Sequence, residues 1–375
     1  MRRTENHNVL VVNPGSTSTK VALFEGDRMR VEVTFPEPQS EFGADSWDGF
    51  VPRLERVRSW LRDEGVSPGQ LSAVAGRGGL LRPVEGGTYT VSEALLADAR
   101  ADRQGTHASN LGCALAHALA DDATRERRAA FETSSEGGSP PPPVPAFVVD
   151  PVSTDEFLEL ARYSGLPQIP RRSLSHALSI HALVRQVVGR EGRGLEGSRF
   201  VVAHLGGGIS VCPVVNGKIL DANNANSGGP FSPSRAGGLP TQELLGLVGS
   251  GEYTVDELRE MTLRRGGLLA YLATDDAREV EARIKDGDGE ALEVFQAMAY
   301  QIAKEVGAMA TVVEGGPERI LLTGGLASST LLTGWIQERV GFLAPVEVWP
   351  EVGEMEALAR GALRILRGEE EAKEY

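Results

Sequence analysis

The sequence predicts an α/β protein of two related domains, and three observations carry that expectation. Short apolar runs alternate with helix-period stretches along the chain, as strands interleaved with helices do. At 375 residues the chain exceeds what one hydrophobic core usually supports, so two domains are expected. A strand, small-residue turn and second strand at residues 9–24 returns at residues 199–218. Val11-Val12 aligns there with Val201-Val202, and Gly15 falls near Gly206. Two such hairpins suggest a duplicated unit, the copies facing each other across a cleft.

Each element follows from local pattern. In the first hairpin, Asn13-Pro14-Gly15 alone would be an ordinary turn. Four consecutive hydroxyl residues, Ser16 to Thr19, followed by Lys20 make it a phosphate cradle, where N–H groups, hydroxyls and an ammonium converge. Residues 31–35 then read as a strand, about 47–64 as a helix and 71–75 as a buried strand. That strand enters a loop, Gly76-Arg77-Gly78-Gly79-Leu80-Leu81-Arg82. Helical patterns with Ala/Leu faces cover about 92–101 and 109–119. Residues 131–143 are of low complexity, and their prolines oppose helix and inner strand, which reads as a flexible surface insertion. The apolar strand 145–149 ends at Asp150-Pro151. The second hairpin turns through Gly206, Gly207 and Gly208. Residues 319–329 form a third case, a buried strand running through Gly324-Gly325 into a helix, where glycine lets a ligand approach the backbone near a helix N-terminus.

Composition narrows the function. With 52 acidic and 38 basic residues the net charge is −14, which argues against nucleic acid or an anionic membrane as partner. Only five residues are lysine, so Lys20 stands out. No apolar run approaches the ~18 residues of a membrane span, and the start, Met1-Arg-Arg-Thr-Glu-Asn-His7, reads straight into a strand, so neither a signal peptide nor a span is expected. Cys113 and Cys212 sit singly in apolar surroundings and read as buried thiols of a reducing compartment, the cytoplasm.

The run from Asn13 to Lys20 (NPGSTSTK), with His204 to Ser210 (HLGGGIS) and Leu322 to Ala327 (LTGGLA), resembles the acetokinase family of the sugar kinase/Hsp70/actin superfamily. Residues 76–80 (GRGGL), 107–112 (HASNLG), 149–152 (VDPV), 223–232 (NNANSGGPFS) and 275–280 (DDAREV) are more similar to butyrate kinases than to acetate kinases. The resemblance spans residue 9 to about 368 and lapses mainly over the Pro-rich segment. It implies two duplicated actin-like/ribonuclease H-like domains. Residues 1–152 with 354–375 would form the first, completed by the C-terminal helix, and 153–353 the second, nucleotide-binding one. It further implies ATP and Mg²⁺ as cofactors and reversible phosphorylation of a short-chain carboxylate, butyrate foremost, to an acyl phosphate, by a homo-oligomer. Acetate, propionate or a branched-chain acid is the enzymatic alternative. A non-catalytic or Hsp70-like ATP-binding protein is the alternative of another class.

Carboxylate attack on a phosphoryl group brings two anions together, so such a site needs guanidinium groups and a metal more than a base. Bidentate arginine geometry suits both partners. Arg77, between glycines that would let a ligand approach, matches the family's substrate-carboxylate arginine. Arg235, in the small-residue loop 231–239, matches its transition-state arginine. His176 resembles the histidine that donates to the phosphoryl group, although Ala177 and Leu178 replace the Gly-Thr of acetate kinases. His204 with Gly206, Gly207 and Gly208, and Gly324 with Gly325, would take nucleotide phosphates. Ser16, Ser18 and Lys20 would take the phosphoryl end, and Asp276 with Arg278 the adenosine. Asp150 would orient an arginine or approach the metal. Asn13 and Glu354 match the magnesium-associated pair, with Glu356 the competing carboxylate. A helix start for Asp276 and a plain Asp-Pro turn for Asp150 are the structural alternatives. His181 reads as structural or exposed. A hydroxyl kinase would need a general base, which only Asp150 supplies, and would leave the two arginines unexplained.

Overall fold

Seven residues, Asn8–Pro14, form β1, the strand around which the first part of the chain is built. The computed structural model describes residues 6–37, 46–102, 105, 107–134, 139–350 and 352–375. It divides into two units, Met1–Thr154 with Gly353–Tyr375 and Asp155–Val352.

In the first unit β1 pairs antiparallel with β2 (Ser18–Glu25), and β2 with β3 (Arg28–Pro36). Helix α1 (Phe50–Asp63) precedes β4 (Ala73–Arg77), which runs parallel to β1. After β5 (Thr88–Thr90), α2 (Glu93–Arg100) and α3 (Leu111–Thr133), β6 (Ala146–Val149) joins parallel to β4. The sheet order is β3-β2-β1-β4-β6-β5. Alternate side chains divide between its faces. Leu10, Val12, Val74 and Val148 enter the core with Leu54, Val57 and Leu61 of α1 and Leu111, Leu115 and Leu119 of α3.

The second unit repeats the plan. Helix α4 (Ala177–Arg190) leads to the hairpin β7 (Arg199–Leu205) and β8 (Ile209–Val215), with β9 (Lys218–Ile219) outside it. Helices α5 (Thr241–Ser250), α6 (Val255–Leu263), α7 (Gly267–Leu272), α8 (Ala277–Lys285) and α9 (Gly289–Ala310) precede β10 (Arg319–Thr323). Helix α10 (Thr330–Val340) and β11 (Val346–Trp349) follow. The order is β11-β10-β7-β8-β9, with β10 parallel to both β7 and β11. Val201, Ala203 and Leu205 face Phe295, Met298 and Ile302 of α9, while Phe200 and Val202 face Ile180 and Val184 of α4. The chain then returns to the first unit as α11 (Glu354–Leu366), packed on β1, β4 and β6. No helix among the described residues is long and apolar enough to cross a membrane.

Three elements differ from the sequence reading. β4 continues to Arg77, because that residue still pairs with Val149 of β6, so Arg77 ends a strand and does not sit in a loop. Helix α3 continues to Thr133, since the helix-breaking prolines begin only at Pro140. The Pro-rich segment therefore begins with a helical turn; its residues 135–138 lie outside the described residues, and 139–143 have no regular structure. Gly324-Gly325 opens a 3-10 turn, Gly325–Ser328, and α10 starts after it with Ser329 as cap, accepting from Leu332 N–H at 3.0 Å.

The glycines around Arg77 serve packing. A Cβ on Gly112 would overlap the Arg77 carbonyl, one on Gly76 the Gly112 carbonyl, one on Gly79 Asn110, and one on Gly78 Val148 and Pro151. The space these glycines leave, expected for a ligand, is occupied by the start of α3 and the residues after β6. Gly112→Ala therefore forces α3 off β4. An overpacking cost of about 1–3 kcal/mol is expected, read as a lower urea midpoint with unchanged m-value.

At the chain's end, Lys373 N–H donates to the Thr88 carbonyl (2.8 Å) and Thr90 N–H to that of Lys373 (3.0 Å), covering the β5 edge. The Tyr375 hydroxyl donates to Asp98 at 2.9 Å and accepts from Arg82 N–H at 3.0 Å. Burial, with Asp98 adding to it, pushes this phenol up to about 12. The folded state thus holds the proton more tightly than an unfolded tyrosine near pH 10. The stability from this contact is complete below about pH 10 and is lost as pH rises through about 12. Urea melts over that window should show a decline in the parent that Tyr375→Phe reduces; an identical decline in both would rule the contact out as its source.

Candidate active site

In the first unit the parallel strands β1, β4 and β6 bring their carboxyl ends to one end of the sheet, together with the β1–β2 turn. Open α/β sheets place ligands at such ends. Asn13, Arg77 and Asp150 lie there at or just past the ends of β1, β4 and β6. Asn13 pairs in register with Lys20, so both side chains project to the same face. Asn13 is buried and Lys20 exposed.

Glu354, the first residue of α11, joins this group. Its Oε2 accepts from Asn13 Nδ2 at 3.0 Å and from Arg77 Nη1 at 3.1 Å. A carboxylate at a helix N-terminus is further favoured by the helix dipole. Glu356 lies with its carboxyl against Gly353 instead, so Glu354 is the one brought to Asn13. Asp150 is 5% exposed with φ +38°, a left-handed conformation rare outside glycine. A reciprocal pair holds it there: its Oδ1 accepts from Gly87 N–H at 2.7 Å, and its own N–H donates to the Gly87 carbonyl at 2.9 Å.

The hairpin turn is closed by Gly15 N–H donating to Ser18 C=O at 2.7 Å, with Ser16 and Thr17 exposed. Beneath it is a buried polar group that the sequence reading missed. Arg53 Nη1 donates to Gly15 C=O (3.0 Å) and Thr19 Oγ1 (3.1 Å), and Thr19 Oγ1 donates to Glu37 (2.8 Å). The signal was available: Arg53 occupies the inward stripe of α1 with Val57 and Trp60, where the helical period expects an apolar side chain.

In the second unit the cluster forms around the β7–β8 turn. His176 lies at the start of α4, just before its first turn, rather than on the helix face. Its ring stacks on His204 with centroids 4.0 Å apart and planes 12° from parallel, and its Nδ1 is 2.9 Å from Ser210 Oγ. Arg235 packs its guanidinium against Gly208, where a Cβ would overlap it, and donates to Asn226 Oδ1 at 2.8 Å. Ser232 fastens the two loops: its Oγ donates to Gly207 C=O at 2.6 Å and accepts from Arg235 N–H at 3.2 Å. Burial pushes Arg235 down from its ordinary value, which still leaves a cation near neutrality. Gly324, at φ +88°, lies against the Leu205 backbone, whereas Gly207 and Gly325 border open space.

Asp276 and Arg278 form a separate pair. Asp276 caps α8, and Arg278 donates to both its oxygens at 2.9 and 2.7 Å, which holds that carboxyl down at about 2. His181 is buried and structural, with Nε2 3.2 Å from Glu156, whose same oxygen accepts Ile219 N–H.

The sequence matches the acetokinase family over residues 169–338. It is 45% identical to a protein of Caldanaerobacter subterraneus subsp. tengcongensis named probable butyrate kinase 2, over 98% of this chain and 99% of that one. It is 41% identical to butyrate kinase 2 of Clostridium acetobutylicum, again over 98% and 99%. In fold it is similar to the acetate kinase of Porphyromonas gingivalis, with a TM-score of 0.74 and 18% identity, covering 96% of this chain and 100% of that one. A propionate kinase of Francisella tularensis gives 0.70 and 16%, over 95% and 98%. With two actin-like α/β units and relatives of this identity along almost its entire length, the chain belongs to the acetokinase family.

Proposed function

We propose that this protein transfers the γ-phosphoryl group of ATP to a short-chain carboxylate, butyrate foremost, giving an acyl phosphate and ADP in a reversible reaction. One observation carries the reading: Arg235 is fixed by Asn226 and Gly208 at the same β7–β8 turn whose His204 stacks on His176, so a guanidinium and two imidazoles are held at one turn. A carboxylate nucleophile is already ionised at neutral pH, so the chemistry asks for charge stabilisation and alignment.

A carboxylate oxygen attacks the γ-phosphorus while the bond to the bridging oxygen breaks, and ADP leaves with that electron pair. Arg77 holds the carboxylate, using guanidinium N–H groups other than the one given to Glu354. Arg235 and His176 donate to the phosphoryl oxygens in transit, and Asp150 keeps its strand end in place. Ser16, Ser18 and Lys20 take the phosphoryl end, His204, Gly206, Gly207, Gly208, Gly324 and Gly325 the nucleotide phosphates, and Asp276 with Arg278 the adenosine. Asn13 and Glu354 offer an amide and a carboxylate oxygen 341 residues apart in sequence yet hydrogen-bonded, a hard donor set that fits Mg²⁺. When bound, that ion neutralises phosphate charge. The paired burial of Cys113 and Cys212 as free thiols supports a cytoplasmic location. The exposed run Leu160, Tyr163, Leu166 and Ile169 supports association of copies.

The test is a hydroxylamine trap with acetate, propionate, butyrate and isobutyrate. Each CH₂ buried in an apolar pocket contributes only about 0.8 kcal/mol, so neighbouring acids should differ by a few-fold, with butyrate or isobutyrate best. A maximum on acetate would move the assignment to acetate kinase. No hydroxamate from any acid would favour an ATPase without a small acceptor. In the same assay Arg235→Ala should lower kcat by about 100-fold or more with the thermal midpoint retained. Near-parental turnover would remove Arg235 from the mechanism.

A further inference from the structure

We infer that Arg53, locked by Glu37, is a positioning residue that sets the conformation of the first hairpin turn and so aims its phosphate-facing groups. This rests on reading that turn as a phosphate cradle. Arg53 is 4% exposed on the inward stripe of α1, where an apolar side chain would avoid the desolvation cost. Glu37, also buried, compensates the charge: Arg56 donates to it at 2.6 Å, Thr19 at 2.8 Å, and Arg53 Nε lies 3.8 Å away.

The geometry gives the network a task beyond filling space. Arg53 donates to the Gly15 carbonyl, Glu37 N–H donates to the Thr17 carbonyl at 2.8 Å, and Gly15 N–H donates to the Ser18 carbonyl. Peptide groups are planar and trans, so each C=O points opposite to the N–H of the next residue. Drawing the Gly15 carbonyl onto Arg53 turns the Ser16 N–H the other way, and holding the Thr17 carbonyl on Glu37 keeps that oxygen off the outer side of the turn. Two oxygens that would repel a phosphate are thereby tied into the protein. Two guanidinium groups against one carboxylate also leave net positive charge under the turn, in a chain whose total is −14.

The experiment compares full-length parent, Arg53→Met and Thr19→Val, measuring the Kd of a fluorescent N-methylanthraniloyl-ATP with Mg²⁺, the KM values for ATP and butyrate, and the thermal midpoint. Loss of one charge-assisted bond to the turn should weaken nucleotide binding about tenfold in Arg53→Met, and about threefold or more in Thr19→Val, with the butyrate KM within about twofold. A nucleotide Kd below threefold of parental in Arg53→Met, or equal losses for ATP and butyrate, overturns the positioning role. If Arg53→Met does not fold, Thr19→Val decides: a shift of threefold or more supports the role and a smaller one overturns it. The nucleotide Kd is read without phosphoryl transfer, so this role can fail while the carboxylate kinase stands, and the reverse.

Discussion

A single oxygen atom, Glu354 Oε2, ties together the candidate site of the first unit. It accepts from Asn13 on the first strand and from Arg77 at the end of β4, and it sits on the first residue of the last helix. The chain must therefore come back after nearly its whole length before this group can exist. The return is supported by packing. Helix α11 buries Met355, Leu358, Ala359, Ala362 and Leu363, and at Gly361 it lies so close to Val149 that a Cβ would overlap it. Small residues on that face set how near Glu354 can come to the strand ends. The carboxylate, the amide and the guanidinium then balance one another: an unpaired arginine at 23% side-chain exposure would pay for its desolvation without return.

Both units build their candidate sites by the same construction. An antiparallel hairpin stands beside parallel strands, so a turn and several strand ends meet at one end of the sheet. What each turn offers differs. The first is rich in hydroxyls and is tied from below through its carbonyls; the second is rich in glycine and is tied through Ser232 to the loop carrying Arg235. Glycine has two distinct duties in the second unit. At Gly208 and Gly324 it admits protein, while at Gly207 and Gly325 it borders open space, which is where backbone N–H groups can meet a ligand.

Local pattern made the strands and hairpins legible, because a buried strand is a continuous apolar run and a functional turn is a cluster of small residues. It was weakest where a residue's meaning depends on a distant partner. Arg53 stands out in the sequence only as an arginine on the apolar stripe of α1, and its task is visible only with Glu37 and Gly15 beside it. The Asn13–Glu354 bond leaves no trace in spacing, and only the family resemblance paired those residues. Glycines flanking Arg77 looked like room for a ligand because sequence cannot say whether a missing side chain is replaced by ligand or by another helix. His176 lies one residue before α4, a position set by a backbone turn that periodicity does not register. The continuation of α3 past residue 119 passes through Asp121 to Arg128, a charged stretch with little apolar face, before three low-complexity residues that remain compatible with a final helical turn.

The two arginines differ in a way that bears on the proposed division of labour. Arg77 shares its charge with Glu354, so the pair together is close to neutral and an incoming carboxylate meets a guanidinium already half compensated. Such a group suits reversible binding, because releasing the ligand leaves no bare cation behind. Arg235 has an amide partner, Asn226, and burial pushes its pKa down. Among the described residues no ion pair to a carboxylate offsets its charge, and in a partly dry setting charge–charge interactions are less screened than in water. A group in that state gains most when negative charge accumulates nearby, and phosphoryl transfer between two anions accumulates it at the transition state. Within the proposed reaction, local neutralisation assigns Arg77 to the ground state and its absence assigns Arg235 to the transition state.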